Sequence, residues 1–120
     1  MFNNDGGDQV TMVGRVMRPG IVNSVEFVPS WNVTGANTNS RTLTLFNRGL
    51  LGVATTSVAV RPWTLAGGNS VAALAETLTL SATAANLLAV EGDVITAQWT
   101  HTGTGLAIPA GLVELLYRYR

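Results

Sequence analysis

Hydrophobic and polar residues alternate one by one along several stretches of the chain, which predicts β-strands. The alternation is clearest at residues 41–45 and 76–81, where leucines alternate with threonines or a serine. A period of two places all the leucines of such a stretch on one face of a strand. Each of these strands is therefore predicted to have one buried face.

Clusters of turn-forming residues separate these stretches. Arg18-Pro19-Gly20 and Gly67-Gly68-Asn69 are two such clusters, with the residue types that tight turns require. Seven strands are predicted, at residues 10–17, 21–29, 41–47, 55–65, 76–82, 93–100 and 112–119. Short strands at this spacing favour an all-β fold, an antiparallel β-sandwich of about seven or eight strands with jelly-roll-like connections.

Two segments fall outside this strand pattern. Residues 1–9 are rich in glycine, asparagine and aspartate and have almost nothing to bury, so they are predicted to form a flexible N-terminal arm. Residues 10–120 are then a single β-sandwich domain. Residues 82–90 contain alanines and leucines that favour a helix but lie between predicted strands, so a loop with one helical turn is predicted there.

The composition indicates a surface that is poor in charge. Hydrophobic residues make up 47% of the 120 residues and charged residues only 12%, whereas charged residues make up about 25% of typical soluble domains. Soluble monomers usually carry mixed charge and avoid wide apolar patches. Much of the outer surface is therefore predicted to be covered by protein partners, including other copies of the chain.

Membranes and nucleic acids are not predicted partners. A membrane-spanning helix needs about 18 or more consecutive apolar residues, and the chain contains no such run. No signal peptide is recognisable at its start. The formal net charge is zero, and the seven basic residues, all arginines, are spread along the chain instead of forming the cluster typical of a nucleic-acid surface.

The residues that usually carry out catalysis are scarce. His101 is the only histidine and the chain has no cysteine, which excludes disulfides, thiolate metal sites and cysteine nucleophiles. Glu91 and Asp93 are close in sequence, but with Gly92 between them they predict a tight turn and not a calcium site. No nucleophile elbow or phosphate-binding loop is present. Neither an enzyme nor a metal or cofactor site is predicted.

The tryptophans leave two roles open. Exposed tryptophans on one face of a sandwich can stack on sugar rings, which would make the chain a carbohydrate-binding module. That role requires at least two exposed tryptophans in a row. Trp99 lies inside a predicted strand and is predicted to be in the core. Trp31 and Trp63 each follow a proline-containing strand end, where a protein interface or the core is favoured over sugar binding.

Four segments of the chain share a pattern with a known protein family. They are residues 27–30, 33–49, 88–95 and 103–113, with the sequences FVPS, VTGANTNSRTLTLFNRG, LAVEGDVI and GTGLAIPAGLV. Taken together they resemble the small capsid decoration, or head cement, proteins of tailed phages. The resemblance extends over residues 20–117. It implies a β protein on the outer surface of the virion capsid, assembled in the host cytoplasm, and a trimer seated where several major capsid protein subunits meet.

The sequence therefore predicts a virion structural protein that decorates and stabilises a phage capsid through protein–protein contacts. A head fibre or tail accessory protein and a carbohydrate-binding β-sandwich are the alternatives. Aromatic and arginine side chains are enriched at interfaces. The predicted interface residues combine such side chains with loop or strand-end positions, and they are Trp31, Arg41, Arg48, Trp63, Tyr117, Arg118, Tyr119 and Arg120.

Overall fold

A computed structural model describes residues 9–103 and 111–119. Residues 1–8 of the predicted arm lie outside them, and Gln9, its last residue, is instead the first residue of a strand. The described residues form nine β-strands and one short 3-10 helix, at residues Ala84–Leu87. The strands are β1 (Gln9–Arg15), β2 (Gly20–Pro29), β3 (Arg41–Asn47), β4 (Thr56–Pro62), β5 (Glu76–Thr77), β6 (Thr79–Leu80), β7 (Leu88–Ala89), β8 (Val94–His101) and β9 (Gly111–Tyr119).

These strands form two antiparallel sheets. The first sheet has the order β1-β8-β3-β4-β6. In the second sheet β2 is central, with β9 along one edge and the short β5 and β7 along the other. The two sheets pack face to face, so the predicted all-β sandwich is confirmed. The chain changes sheet at almost every connection, and the β3–β4 hairpin is the exception among the described residues.

The segment at residues 76–82 was predicted as one strand, and the structure divides it in two. β5 pairs with β2 in the second sheet, and β6 pairs with β4 in the first. Between them, the backbone N–H of Leu78 donates to the carbonyl of Val25 at 2.8 Å, and its side chain is buried. A segment that crosses from one sheet to the other can keep its leucines pointing into the core, so the alternation continues through the crossing. The prediction of a single strand was wrong for this reason.

The segment at residues 82–90 contains the predicted single helical turn, which is the 3-10 helix. The short strand β7 follows it directly and pairs with the first residues of β2. Two residues are too few to produce a recognisable alternation, so β7 was not predicted. The other strand boundaries agree with the predicted ones or differ from them by at most three residues.

The core is centred on a cluster of three aromatic side chains between the sheets. Trp63 and Trp99 stack with their ring centroids 5.3 Å apart, and Phe27 lies edge-on to both, at 5.9 and 5.6 Å. Edge-to-face and offset-stacked arrangements are those that aromatic rings prefer. All three side chains are fully buried. The prediction that Trp99 belongs to the core is confirmed.

Candidate functional site

Two predicted interface residues, Arg41 and Trp63, lie inside the sandwich. Both side chains are buried, and the indole Nε1 of Trp63 donates to Ser70 Oγ at 2.5 Å. Trp63 follows Pro62 at the end of β4, where the chain turns back over the core, so a position at a strand end did not imply exposure. These two residues are corrected to core residues, since a partner cannot reach them in this fold.

Arg48 is half-buried and holds neighbouring strands together. Its guanidinium donates to Thr96 Oγ1 and Gln98 Oε1, both at 2.9 Å, and lies over the Phe46 ring at 4.5 Å from the centroid. It also donates to the carbonyl of Ala54. Most of the hydrogen-bonding capacity of Arg48 is therefore used within the chain.

The remaining predicted interface residues divide by exposure. Trp31 is 39% exposed, and Arg118 and Tyr119 are exposed at the end of β9. Tyr117 is half-buried and lies edge-on to Tyr119, with ring centroids 5.4 Å apart. The Arg18 guanidinium lies 4.4 Å from the centroid of the Tyr119 ring. Arg120 lies outside the described residues. For these residues an interface role stays a prediction.

The structure gives the acidic turn a structural role. The turn at Glu91 and Gly92 is formed as predicted, and Gly92 has a φ of 93°, a conformation that favours glycine. Asp93 is buried, and its Oδ2 accepts hydrogen bonds from Asn47 Nδ2 at 2.8 Å and from the backbone N–H of Val90 at 3.0 Å. This carboxylate therefore ties the end of β3 to the turn before β8.

The described part of the chain contains neither a cluster of metal ligands nor a helix of membrane-spanning length. Within residues 9–103 and 111–119, no three or more His, Cys, Asp or Glu residues come together in a group that could hold a metal ion. His101 is exposed at the end of β8. No helix in the same residues is long and apolar enough to cross a membrane.

The tryptophans do not form the platform that sugar binding requires. Two of the three, Trp63 and Trp99, are fully buried, so a row of two exposed tryptophans cannot form in this fold. Neither a family model, nor a curated protein, nor a solved structure matches the chain. The surfaces that the chain itself exposes are therefore the remaining indication of its function.

One end of the sandwich exposes a group of apolar side chains that we call the Leu51 end. It is formed by the connection between β1 and β2, the β3–β4 loop and the turn before β8. Backbone hydrogen bonds hold these three connections together, from Gly92 to Val16 and from Val94 to Gly49. Leu51 is 86% exposed. The exposed apolar side chains of this end are Met17, Leu50, Leu51, Val53 and Val90.

The opposite end, which we call the Trp31 end, is held by a network of polar side chains. Arg61 and Glu76 form an ion pair at 2.9 Å, and Ser70 Oγ donates to the other oxygen of Glu76. Arg61 also donates to the carbonyls of Pro62 and Gly67. These contacts fix the β4–β5 connection. The exposed apolar side chains of this end are Trp31, Leu65, Val71 and Leu74.

Among the described residues, one long side of the sandwich is open between two edge strands. β1 is the edge of the first sheet and β9 is an edge of the second. A groove between them is lined mainly by apolar residues, among them Val13, Ile95, Val113, Leu115 and Tyr117. The inward side chains of β9 are only half-buried. This side therefore leaves part of the core incompletely covered.

The predicted interface set missed the exposed apolar residues of the Leu51 end, and of the groove residues named above on the open side it included only Tyr117. The predicted set consists of aromatic and arginine side chains, but the most exposed apolar residues here are leucine, methionine and valine. The exposure of Leu50, Leu51 and Val53 could have been predicted from the sequence. They lie in a glycine-containing stretch in which hydrophobic and polar residues do not alternate, so no strand is predicted there that would bury them. The free edges carried no such signal, since they follow from the strand order.

Proposed function

We propose that the chain is a non-enzymatic structural protein of a phage virion, which binds the outer surface of the capsid and stabilises it through protein–protein contacts. Its partners are the major capsid protein and further copies of itself. The resemblance of residues 20–117 to capsid decoration proteins suggests this role, and it implies a trimer.

The single observation that carries the proposal is the exposure of apolar side chains at both ends of a charge-poor sandwich. Wide apolar patches on a stable fold mark surfaces that a partner covers. At the Leu51 end, Met17, Leu51 and Val53 are all more than 70% exposed. At the opposite end, Trp31, Val71 and Leu74 are exposed. Apolar surface at both ends suits a protein that contacts more than one neighbour.

The dimensions of the sandwich suit this bridging role. The ten residues of β2 run from the Leu51 end to the Trp31 end and span about 30 Å, at roughly 3.3 Å for each step from one residue to the next. A rigid body of this length can touch two neighbouring subunits at once. Because each such contact repeats over a shell, a modest interface stabilises the whole capsid.

The experiment that tests this function is quantitative mass spectrometry of purified virions from the source of the protein. The measured quantity is the number of copies of this chain relative to the major capsid protein. Copies in the hundreds per particle are the expected result. A handful of copies would instead assign the chain to a head fibre or the tail, and its absence from virions would overturn the proposal.

A further inference from the structure

The second sheet ends in a strand whose outer edge is open. Within the described residues, β9 pairs with β2 only. On the opposite edge of β2, Val25 and Pro29 accept hydrogen bonds from the backbone N–H groups of Leu78 and Ala73, both at 2.8 Å. Backbone groups alternate in direction along a strand. Glu26 and Val28, which alternate with Val25 and Pro29, therefore turn their backbone groups toward β9.

The same alternation fixes which backbone groups of β9 are available. Glu26 pairs with Glu114 and Val28 with Leu112, so the backbone groups of these β9 residues bond to β2. The residues that alternate with these two along β9 turn their N–H and C=O groups to the open edge. They are Val113, Leu115 and Tyr117. Such an edge is a template for another strand.

The outward face of β9 carries a charge pattern that can match itself. Leu112, Glu114, Leu116 and Arg118 alternate with the half-buried residues and point to solvent. Glu114 and Arg118 are placed symmetrically, two residues before and two residues after Leu116. An antiparallel copy of the strand that pairs about Leu116 would therefore meet the acidic residue with the basic one.

A second observation also favours a basic side chain next to Glu114. Glu26 on β2 lies directly opposite Glu114 in the register, and like charges directly opposite each other destabilise a sheet. A basic side chain placed beside Glu114 by another molecule would offset this repulsion. Within the outward row of β9 itself, the basic residue is Arg118, four residues away along the strand.

We propose that two copies of this chain pair edge to edge along β9, antiparallel, about a two-fold axis at Leu116. In this register Glu114 lies opposite Arg118 of the second copy, twice per dimer, and the two Leu116 side chains meet at the axis. An isologous contact of this kind closes on itself. The surface partner is thus a second copy of the chain.

Neighbouring registers lack this complementarity. An axis at Glu114 places the two glutamates opposite each other, which is repulsive. An axis at Leu115 or Tyr117 places a charged side chain opposite a leucine. Among the described residues 111–119, only the axis at Leu116 brings the opposite charges of both copies together.

The inward face of β9 supports the same pairing. In the proposed register Leu115 lies opposite Tyr117 of the second copy, and Val113 lies opposite Tyr119. Val113, Leu115 and Tyr117 line the open groove next to β1. A strand added at this edge continues the apolar inner face of the sheet and covers the groove. The pairing therefore lowers the exposure of half-buried core residues.

This inference does not depend on the capsid proposal, and it predicts an even number of copies. It differs from the trimer that the resemblance implies, so the two arrangements are distinguishable in purified protein. A dimer that is absent from virions would contradict only the capsid proposal. A virion protein without the β9 contact would contradict only the pairing.

Disulfide trapping tests the register directly, because the chain has no cysteine of its own. In the proposed dimer the two Leu116 residues form a pair with their Cα atoms about 4.5 Å apart, within the range that a disulfide bridges. Leu116→Cys is therefore expected to give a covalent dimer under mild oxidation. Leu112→Cys is the matched control, since the two Leu112 residues would be about 26 Å apart.

Leu112 and Leu116 are equally exposed, at 59% and 58%, so exposure alone cannot explain a difference between the two variants. Rapid cross-linking of Leu116→Cys with little cross-linking of Leu112→Cys supports the proposed register. Equal cross-linking of both, or of neither, overturns it. Circular dichroism of each reduced variant verifies that the fold is intact.

Charge reversal tests the ion pairs independently of any cysteine. Glu114→Arg and Arg118→Glu each place like charges opposite one another and are expected to raise the dimer dissociation constant about tenfold. The double variant restores opposite charges and is expected to return to the wild-type value. Analytical ultracentrifugation over a range of concentrations measures this constant, and Glu91→Arg at the distant exposed turn is the control.

A wild-type chain that sediments as a monomer at all accessible concentrations would overturn the proposal. So would a double charge variant that stays as weak as either single variant. A trimer whose Leu116→Cys form does not cross-link would replace the two-fold pairing with the arrangement that the resemblance implies.

Discussion

Strands β3 and β9 both alternate between inward and outward side chains but differ in how deeply the inward side chains are buried. β3 has paired strands on both edges, and Leu43 and Leu45 are fully buried. β9 is paired along one edge among the described residues, and Leu115 on its inward face is only half-buried. Alternation therefore identifies the inward face of a strand, whereas the depth of burial depends on the neighbours that the strand order supplies.

The largest expected effect on stability comes from removing a leucine side chain from β3, and the same change in β9 is expected to have a smaller effect. Leu45→Ala removes a fully buried side chain and leaves a cavity, so the free energy of unfolding should fall by about 3 kcal/mol. Leu115→Ala removes the same atoms from a half-buried position, and a loss of about 1 kcal/mol is expected at low protein concentration. Urea denaturation followed by tryptophan fluorescence measures both values.

The protein concentration sharpens this comparison. If copies pair along β9, the loss caused by Leu115→Ala grows as the concentration rises, because association stabilises the wild-type fold by mass action. The loss of stability caused by Leu45→Ala should stay constant, because association along β9 stabilises this variant and the wild type equally. Equal losses for the two variants at low concentration would show that β9 is as deeply buried as β3 and would remove the contrast.

The polar contact that fixes the end of β3 predicts a smaller effect. Asp93 is buried and accepts hydrogen bonds from Asn47 and Val90. Asp93→Ala leaves these two donors without their acceptor, which should lower the free energy of unfolding by about 2 kcal/mol. Glu91→Ala removes an exposed carboxylate two residues away and should change it by less than about 0.5 kcal/mol. Similar losses for both variants would contradict the anchoring role.

The same contrast explains how much the sequence could predict. The alternation at residues 41–45 predicted a strand there, and the bounds predicted for β3, residues 41–47, are confirmed. The crossing at Leu78 keeps the leucines inward while the backbone changes sheet, so alternation alone could not reveal it. Arg41 and Trp63 were assigned to a surface because their chemistry suits an interface, although their burial is decided by contacts distant in sequence.

Strand order was the information that the pattern lacked. The open edge of β9 exists because β9 pairs with β2, a strand some ninety residues earlier in the chain. Nothing local to residues 111–119 distinguishes an edge strand from a central one. The symmetric placement of Glu114 and Arg118 about Leu116 is visible in the sequence. It predicts association only when the edge of β9 is known to be open.

The smallest effect on stability is expected at the Leu51 end, next to the end of β3. Leu51→Asp and Val53→Asp replace side chains that are already in water, so the free energy of unfolding should change by less than about 0.5 kcal/mol. If this end binds the capsid, each variant forfeits the burial of an apolar side chain, worth about 1.5–3 kcal/mol. Binding to assembled capsids that lack the protein should therefore weaken by about tenfold or more.

Thr55→Asp is the matched control for these variants, because it adds the same charge to an exposed position of the same loop without removing apolar surface. Co-sedimentation of each variant with capsids, over a range of protein concentrations, gives the dissociation constants. Weakening by Leu51→Asp and Val53→Asp but much less by Thr55→Asp would locate the contact at the apolar side chains. Equal weakening by all three would indicate repulsion by an acidic shell, and unchanged binding would exclude this end and leave the Trp31 end as the surface that faces the capsid.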